Sequence, residues 1–293
     1  MTVQPEDIEP EENRGTRGGV IDWRNDPNFR WPERVPWSEL GPDFTEQFSR
    51  GDQPEDAEII GPKGSGKTHL MMTILHDHYA DQKAWQQERG AKNIRQGAIM
   101  VLTKRDDDIF QQMGWPVARN LGEIRDTNVV FWPQTGKLGT ERKQYHDEKI
   151  QGLLNQLWQP KANTVLAFDE IGYIESLSGE LRALLLQYWR ESRSLGISLL
   201  AMKQRPQGAL RDMHSETPWT AVFKPKDRAD AERFAELLGH RRDWMPVLDS
   251  LDRQKREFVL RHAISDQAFI SWVDVPLSPQ KIQRKGLRAM VSR

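Results

Sequence analysis

The 293-residue chain contains no cysteine. Disulfides, thiolate–zinc sites and cysteine nucleophiles are therefore excluded. The absence is consistent with a reducing compartment, and the cytoplasm is the expected location. Long apolar runs are missing too: none approaches the roughly 20 residues that cross a bilayer, so no membrane association is expected. Residues 6–12 are acidic, the opposite of a secretory or mitochondrial leader. Neither sign of charge dominates, since 42 Lys and Arg stand against 43 Asp and Glu. That balance excludes a chain that is basic as a whole in the manner of many nucleic-acid binders. The guanine-reading pattern N-K-x-D is also absent, which argues against a GTPase-type switch.

What remains is a polar composition, 37% hydrophobic and 29% charged, long enough for one large α/β domain with appendages. Residues 1–20 read as a disordered acidic N-terminus. Residues 21–56 are an aromatic-rich extension in which Trp23, Phe29, Trp31, Trp37, Leu40 and Phe44 sit among prolines and charges. This stretch cannot make a core alone. Its aromatics are expected to drape over the main domain or to cross a subunit boundary. Residues 275–293 form a basic tail, with Lys281, Arg284, Lys285, Arg288 and Arg293 and no acid, suited to nucleic acid or an acidic partner.

Between these ends, residues 57–274 alternate strand and helix signals. Apolar runs predict strands at 57–60, 98–102, 128–132, 164–168, 196–202 and 219–224. Helical spacing predicts helices over 67–87, 140–158, 179–193 and 227–238. Residues 257–261 and 268–273 read as a closing pair of strands. Such alternation implies an α/β fold with a mostly parallel sheet, helices on both faces and right-handed crossovers.

The chemistry is concentrated in residues 61–68, Gly61-Pro62-Lys63-Gly64-Ser65-Gly66-Lys67-Thr68, with His69 following. The run fits G-x-x-x-x-G-K-[ST] without adjustment. Its glycines let consecutive amides turn inward toward phosphate oxygens, and the helix that starts there adds its positive dipole end. Lys67 would reach the β- and γ-phosphates of ATP, and the Thr68 hydroxyl would coordinate Mg2+. The predicted strand 164–168 ends in Asp169 and Glu170. A carboxylate there stands at the carboxyl edge of a parallel sheet, where ligands bind. Asp169 would hold the magnesium through its water shell, and Glu170 would orient and deprotonate an attacking water. Gln204 follows the strand predicted at 196–202. If that strand lies beside the acid-bearing one, its amide points at the γ-phosphate or the water as a sensor.

Arg193, Gly196, Ile197, the apolar run 198–202, Gln204, Arg205 and Pro206 together resemble the FtsK–HerA group of P-loop motors. The strand and helix over 219–239 are similar to the same group. The resemblance implies a RecA-like P-loop NTPase fold of the additional-strand, catalytic-glutamate type. It also implies a homo-oligomeric ring, a hexamer or pentamer, that hydrolyses ATP to pull double-stranded DNA through its centre. In such rings an arginine from one subunit completes the neighbour's site. Arg193 and Arg205 are the candidates here, with Arg190 the lesser one. The chain departs from relatives in showing no membrane anchor, winged-helix module or nuclease domain. Its size suits a phage or mobile-element packaging ATPase, with a portal, capsid or other DNA-processing protein as partner, in the host cytoplasm or on the virion.

Two sets of residues carry weaker expectations. Lys104, Arg105, Lys137, Arg142 and Lys143 lie on or near predicted connections and could face a pore. His76 and His78 diverge on a helix, so they are read as surface residues rather than metal ligands.

Overall fold

The structure, a computed structural model, describes residues 31–274 apart from 51–53, 90–96, 106–113, 125–127, 161, 163 and 205–210. Its centre is a ten-stranded sheet. In chain order the strands are β1 (Glu33–Arg34), β2 (Ala57–Ile60), β3 (Gly97–Val101), β4 (Val117–Ala118), β5 (Asn128–Phe131), β6 (Thr164–Phe168), β7 (Ser198–Lys203), β8 (Trp219–Phe223), β9 (Phe258–His262) and β10 (Gln267–Ser271). Across the sheet the order is β1-β10-β9-β8-β2-β7-β6-β3-β5-β4. From β8 to β4 every pairing is parallel, whereas β9 runs antiparallel to both β8 and β10.

The central strands are buried on both sides, so their sequences are apolar without polar alternation. Successive side chains still face opposite ways. In β6, Val165 and Ala167 join one core, while Leu166 and Phe168 join the other. The first core is covered by α1 (Trp37–Thr45) and α2 (Lys67–Arg89). The second is covered by α3 (Gly139–Leu157), the short α4 (Ile171–Glu175) and α5 (Gly179–Glu191). In α3 the residues Ile150, Leu153, Leu154 and Leu157 form the buried stripe that the helical period requires. After β7 come α6 (Arg211–Ser215), α7 (Arg228–Leu238) and α8 (Arg241–Ser250). The Asp227 side chain caps α7 by accepting from the Asp230 amide.

The aromatic-rich segment has a different role from the expected arm over its described part. Trp37, Phe44 and Phe48 are each no more than 1% exposed. Phe44 packs edge-on against Trp219 of β8, and the Trp37 indole donates to Asp77 Oδ2 on α2 at 2.8 Å. These rings have a core after all, the flank of the same chain's sheet, so they do not cross a subunit boundary. Trp23 and Phe29 lie outside the described residues. His78 is likewise buried rather than on the surface, with Nδ1 2.8 Å from Ser49 Oγ. Among the described residues no side-chain cluster could hold a metal through three or more His, Cys, Asp or Glu, and no helix is long and apolar enough to cross a membrane.

Candidate active site

Parallel strands end at one edge of the sheet, and the chemistry-bearing loops leave from that edge. The loop after β2 leads into α2. Its Gly64 and Gly66 have φ of +81° and +111°, the left-handed region open to glycine. A Cβ on Gly66 would also stand 3.1 Å from Arg256 Cδ. The first amides of α2 have no partner within the helix, and they open toward the loop. Lys67 is 8% exposed and bends back over the loop, its Nζ donating to the carbonyls of Gly61 at 2.6 Å and Pro62 at 2.9 Å. Burial lowers its pKa from 10.5 to about 8, against the pull of the Glu170 carboxylate.

β7 lies between the loop strand β2 and the acid strand β6. Asp169 and Glu170 follow β6, Gln204 follows β7, and Thr103 and Lys104 follow β3. Asp169 is 1% exposed and accepts through Oδ1 from the Thr103 amide at 3.1 Å and hydroxyl at 3.0 Å. Its Oδ2 is buried without a hydrogen bond and lies 3.9 Å from Lys104 Nζ. Burial raises the Asp169 pKa to about 6, despite Lys104 and Thr103. A buried carboxylate oxygen lacking a donor, in the pocket that the Thr68 hydroxyl also lines, suits a hard cation with oxygen ligands. The residues therefore fit Mg2+.

Glu170 and Gln204 meet directly, Nε2 of Gln204 donating to Oε2 of Glu170 at 2.7 Å. Burial raises the Glu170 pKa, and the Gln204 hydrogen bond is the largest influence in the other direction. Together with Lys63, Thr68, His69 and Met202, these groups line one pocket of 660 Å3. A second hollow of 200 Å3 flanks the loop, between Phe223, Lys224, Lys226, Arg253 and Arg256.

Neither a protein-family model nor a curated sequence matches the chain. Solved structures do. The DNA-packaging ATPase B204 from Sulfolobus turreted icosahedral virus is similar at 16% identity and a TM-score of 0.51, over 76% of this chain and 98% of that one. The genome packaging NTPase B204 from Sulfolobus turreted icosahedral virus 2, in complex with AMPPCP, has 14% identity and a TM-score of 0.50, over 75% and 97%. The cytoplasmic domain of the Thermomonospora curvata type VII secretion ATPase EccC has 14% identity and a TM-score of 0.52, over 82% of this chain and 28% of that one. The fold is that of the RecA-like P-loop ATPases. The FtsK–HerA likeness of residues 193–206 is consistent with these neighbours.

In this P-loop ATPase fold the residues read from the sequence separate into two groups. Gly61, Pro62, Lys63, Gly64, Ser65, Gly66, Lys67, Thr68, His69, Asp169, Glu170 and Gln204 stand at one edge. Arg193 does not. It is exposed on the turn Ser192–Leu195 that precedes β7, and a six-residue strand places it roughly 20 Å from the pocket, toward the opposite edge. Arg205 and Pro206 lie outside the described residues.

Three site residues escaped the sequence reading. Thr103 carried no motif, and Lys104 was read only as a pore-facing charge. Arg256 arrives because β9 is antiparallel, so the turn before it, not the loop after it, reaches the pocket edge. Arg256 has φ of +55° in a turn organised by Asp252, whose Oδ1 accepts from the Gln254 amide at 2.7 Å. The Asp252 turn was the one available signal, and it does not indicate where the turn lies.

Proposed function

We propose that the chain is an ATP-driven motor that couples Mg-ATP hydrolysis to movement of double-stranded DNA, for genome packaging or DNA transfer in a phage or mobile element. The observation that supports hydrolysis best is the Glu170–Gln204 pair, set beside the unpartnered Asp169 oxygen and the P-loop in one pocket. The loop amides and Lys67 bind and orient the β- and γ-phosphates. Thr68 and Asp169 hold Mg2+, which when bound withdraws charge from the phosphate oxygens. Glu170 accepts a proton from the attacking water, and Gln204 fixes the carboxylate that does so. Arg256 and Lys104 place further positive charge at the pocket wall, where transition-state charge develops.

The DNA substrate is supported by the residues 193–206 resemblance and by the packaging function named for two structural neighbours. A ring of five or six subunits accounts for Arg193, which is out of reach of its own pocket and free to complete a neighbour's. A portal or capsid protein is the partner that packaging requires, in the host cytoplasm or at the virion. The secretion ATPase EccC shares the fold, so a protein substrate is the second reading. An ATP-bound structural component with negligible turnover is a third, and Glu170 argues against it.

Steady-state ATPase rates with and without long duplex DNA, for wild type, Lys67→Ala and Glu170→Gln, separate these readings. The motor reading expects several-fold stimulation by DNA and loss of turnover in both variants. Glu170-dependent turnover indifferent to DNA favours the protein substrate. Turnover unchanged in Glu170→Gln refutes the assigned base.

A further inference from the structure

Beside the nucleotide pocket, and separated from it by Lys104, lies a second cavity of 470 Å3. Its wall carries Lys104, Arg105, Lys137 and Arg142, with Trp132 and His146. Among the described residues that line it there is no carboxylate. Asp106, Asp107 and Asp108 follow Arg105 and lie outside the described residues. Four cations converge from the loop after β3, the loop after β5 and the first turn of α3. A cation-lined cavity without an acid is matched by an anion with several acceptor oxygens, and arginine and lysine together suit phosphate.

The cavity is wired to the catalytic carboxylates by three short links. Arg142 Nη2 donates to the Thr103 carbonyl at 2.9 Å, and Thr103 in turn donates its amide and hydroxyl to Asp169. His146 Nδ1 is hydrogen-bonded to the Tyr173 hydroxyl at 3.0 Å, on the helix α4 that Glu170 caps. Lys104 lines both cavities, and the Trp132 indole holds its backbone by donating to the Lys104 carbonyl at 2.6 Å. An anion that draws Arg142 or Lys104 toward itself alters the support of Asp169. One that shifts His146 acts on the helix that starts at Glu170.

We propose that this cavity binds a backbone phosphate of the DNA, and that its occupation reaches Asp169 through Thr103 and Glu170 through Tyr173. The inference rests on the DNA-motor reading and goes beyond it by naming the contact and the route to hydrolysis. Phosphate contacts position a protein on nucleic acid without reading sequence, which is what a motor that moves any sequence requires.

The test uses the full chain with Mg-ATP. Duplex affinity is followed by fluorescence anisotropy over a KCl series, and ATPase rates are expressed relative to each protein's own DNA-free rate. Arg105→Ala with Lys137→Ala, both exposed side chains, is expected to weaken duplex binding several-fold, independent of sequence. The log–log salt dependence should flatten by about two, one for each lost phosphate contact. Tyr173→Phe keeps the ring and loses the link, so it should bind duplex as wild type does while its relative stimulation falls. Wild-type affinity and salt slope in the double variant would overturn the site while leaving the motor reading standing. Full relative stimulation in Tyr173→Phe would overturn the route to Glu170. A wild-type chain that binds no duplex would sink the motor reading and this site with it.

Discussion

Glu58 sits in the middle of β2, 1% exposed, in the strand that delivers the P-loop. Its Oε2 accepts from Lys203 Nζ at 2.5 Å, and its Oε1 contacts His214 Nδ1 and accepts from Thr220 Oγ1 at 3.2 Å. Burial acts to raise the Glu58 pKa, but Lys203 and His214 more than offset it and bring it from 4.5 down to about 2. At about 1.4 kcal/mol per pH unit, the ionised pair is worth about 3 kcal/mol over the protonated acid. Because the folded pKa is the lower one, that contribution is fully present above 4.5 and is lost as pH falls from 4.5 toward 2. Glu58→Gln removes the charge at constant shape and strands the buried Lys203 ammonium. The expected cost at pH 7 is about 3 kcal/mol, or a melting-point drop of about 6–12 °C for a domain this size. Urea unfolding at pH 6 and 3.5 should show the gap from wild type narrowing by about 1.4 kcal/mol. Glu58→Gln with Lys203→Met should recover much of the loss, since no cation is then stranded. A gap below about 1 kcal/mol at pH 7, or one independent of pH, would refute the reasoning.

Asp169→Asn should stabilise the fold at pH 7, measured without nucleotide or metal, by up to about 3 kcal/mol. The folded pKa of Asp169 is raised from 3.8 to about 6, so its penalty is absent below 3.8 and complete above 6; the advantage of Asn should vanish at pH 4. Arg256→Ala should weaken binding of a fluorescent ATP analogue by about tenfold, the loss of one charge-assisted phosphate contact. Unchanged affinity would remove Arg256 from the site. Trp37→Ala should cost about 3–5 kcal/mol in denaturant unfolding, because it empties a buried site and orphans Asp77. A loss below about 1 kcal/mol would restore the picture of a peripheral arm.

Sequence and structure agree where local signals and tertiary demand coincide. β6 was legible to the residue, an apolar run stopped by two acids, and the P-loop was legible because its spacing is set by phosphate geometry. Helices α1 and α8 were not legible, and each has a proline inside, Pro42 and Pro246. Local propensity votes against both, and burial overrides it: Trp37, Leu40 and Phe44 hold α1 against the sheet, while Val247 and Leu248 anchor α8. Arg256 and Thr103 were invisible for another reason. Their roles depend on strand order and direction, which no window of sequence contains.

Gln204 is where the sequence reading and the geometry differ most usefully. It was expected to face the γ-phosphate or the water, yet it donates to Glu170. Burial holds Lys67 down and Asp169 and Glu170 up, each away from its ordinary charge. Bound phosphate restores Lys67 and a bound cation restores Asp169, but neither phosphate nor metal helps Glu170, which would face more negative charge. Its ionised form depends on the hydrogen bond from Gln204. A base works best with a pKa near the working pH, provided enough of it is ionised. Gln204→Ala removes the largest influence lowering the Glu170 pKa, so that pKa rises and the acid limb of the kcat–pH profile should move to higher pH. Turnover should then recover at alkaline pH. If the rate falls equally at every pH and the limb stays in place, Gln204 acts on the phosphate or the water instead, and its contact with Glu170 is incidental to the chemistry.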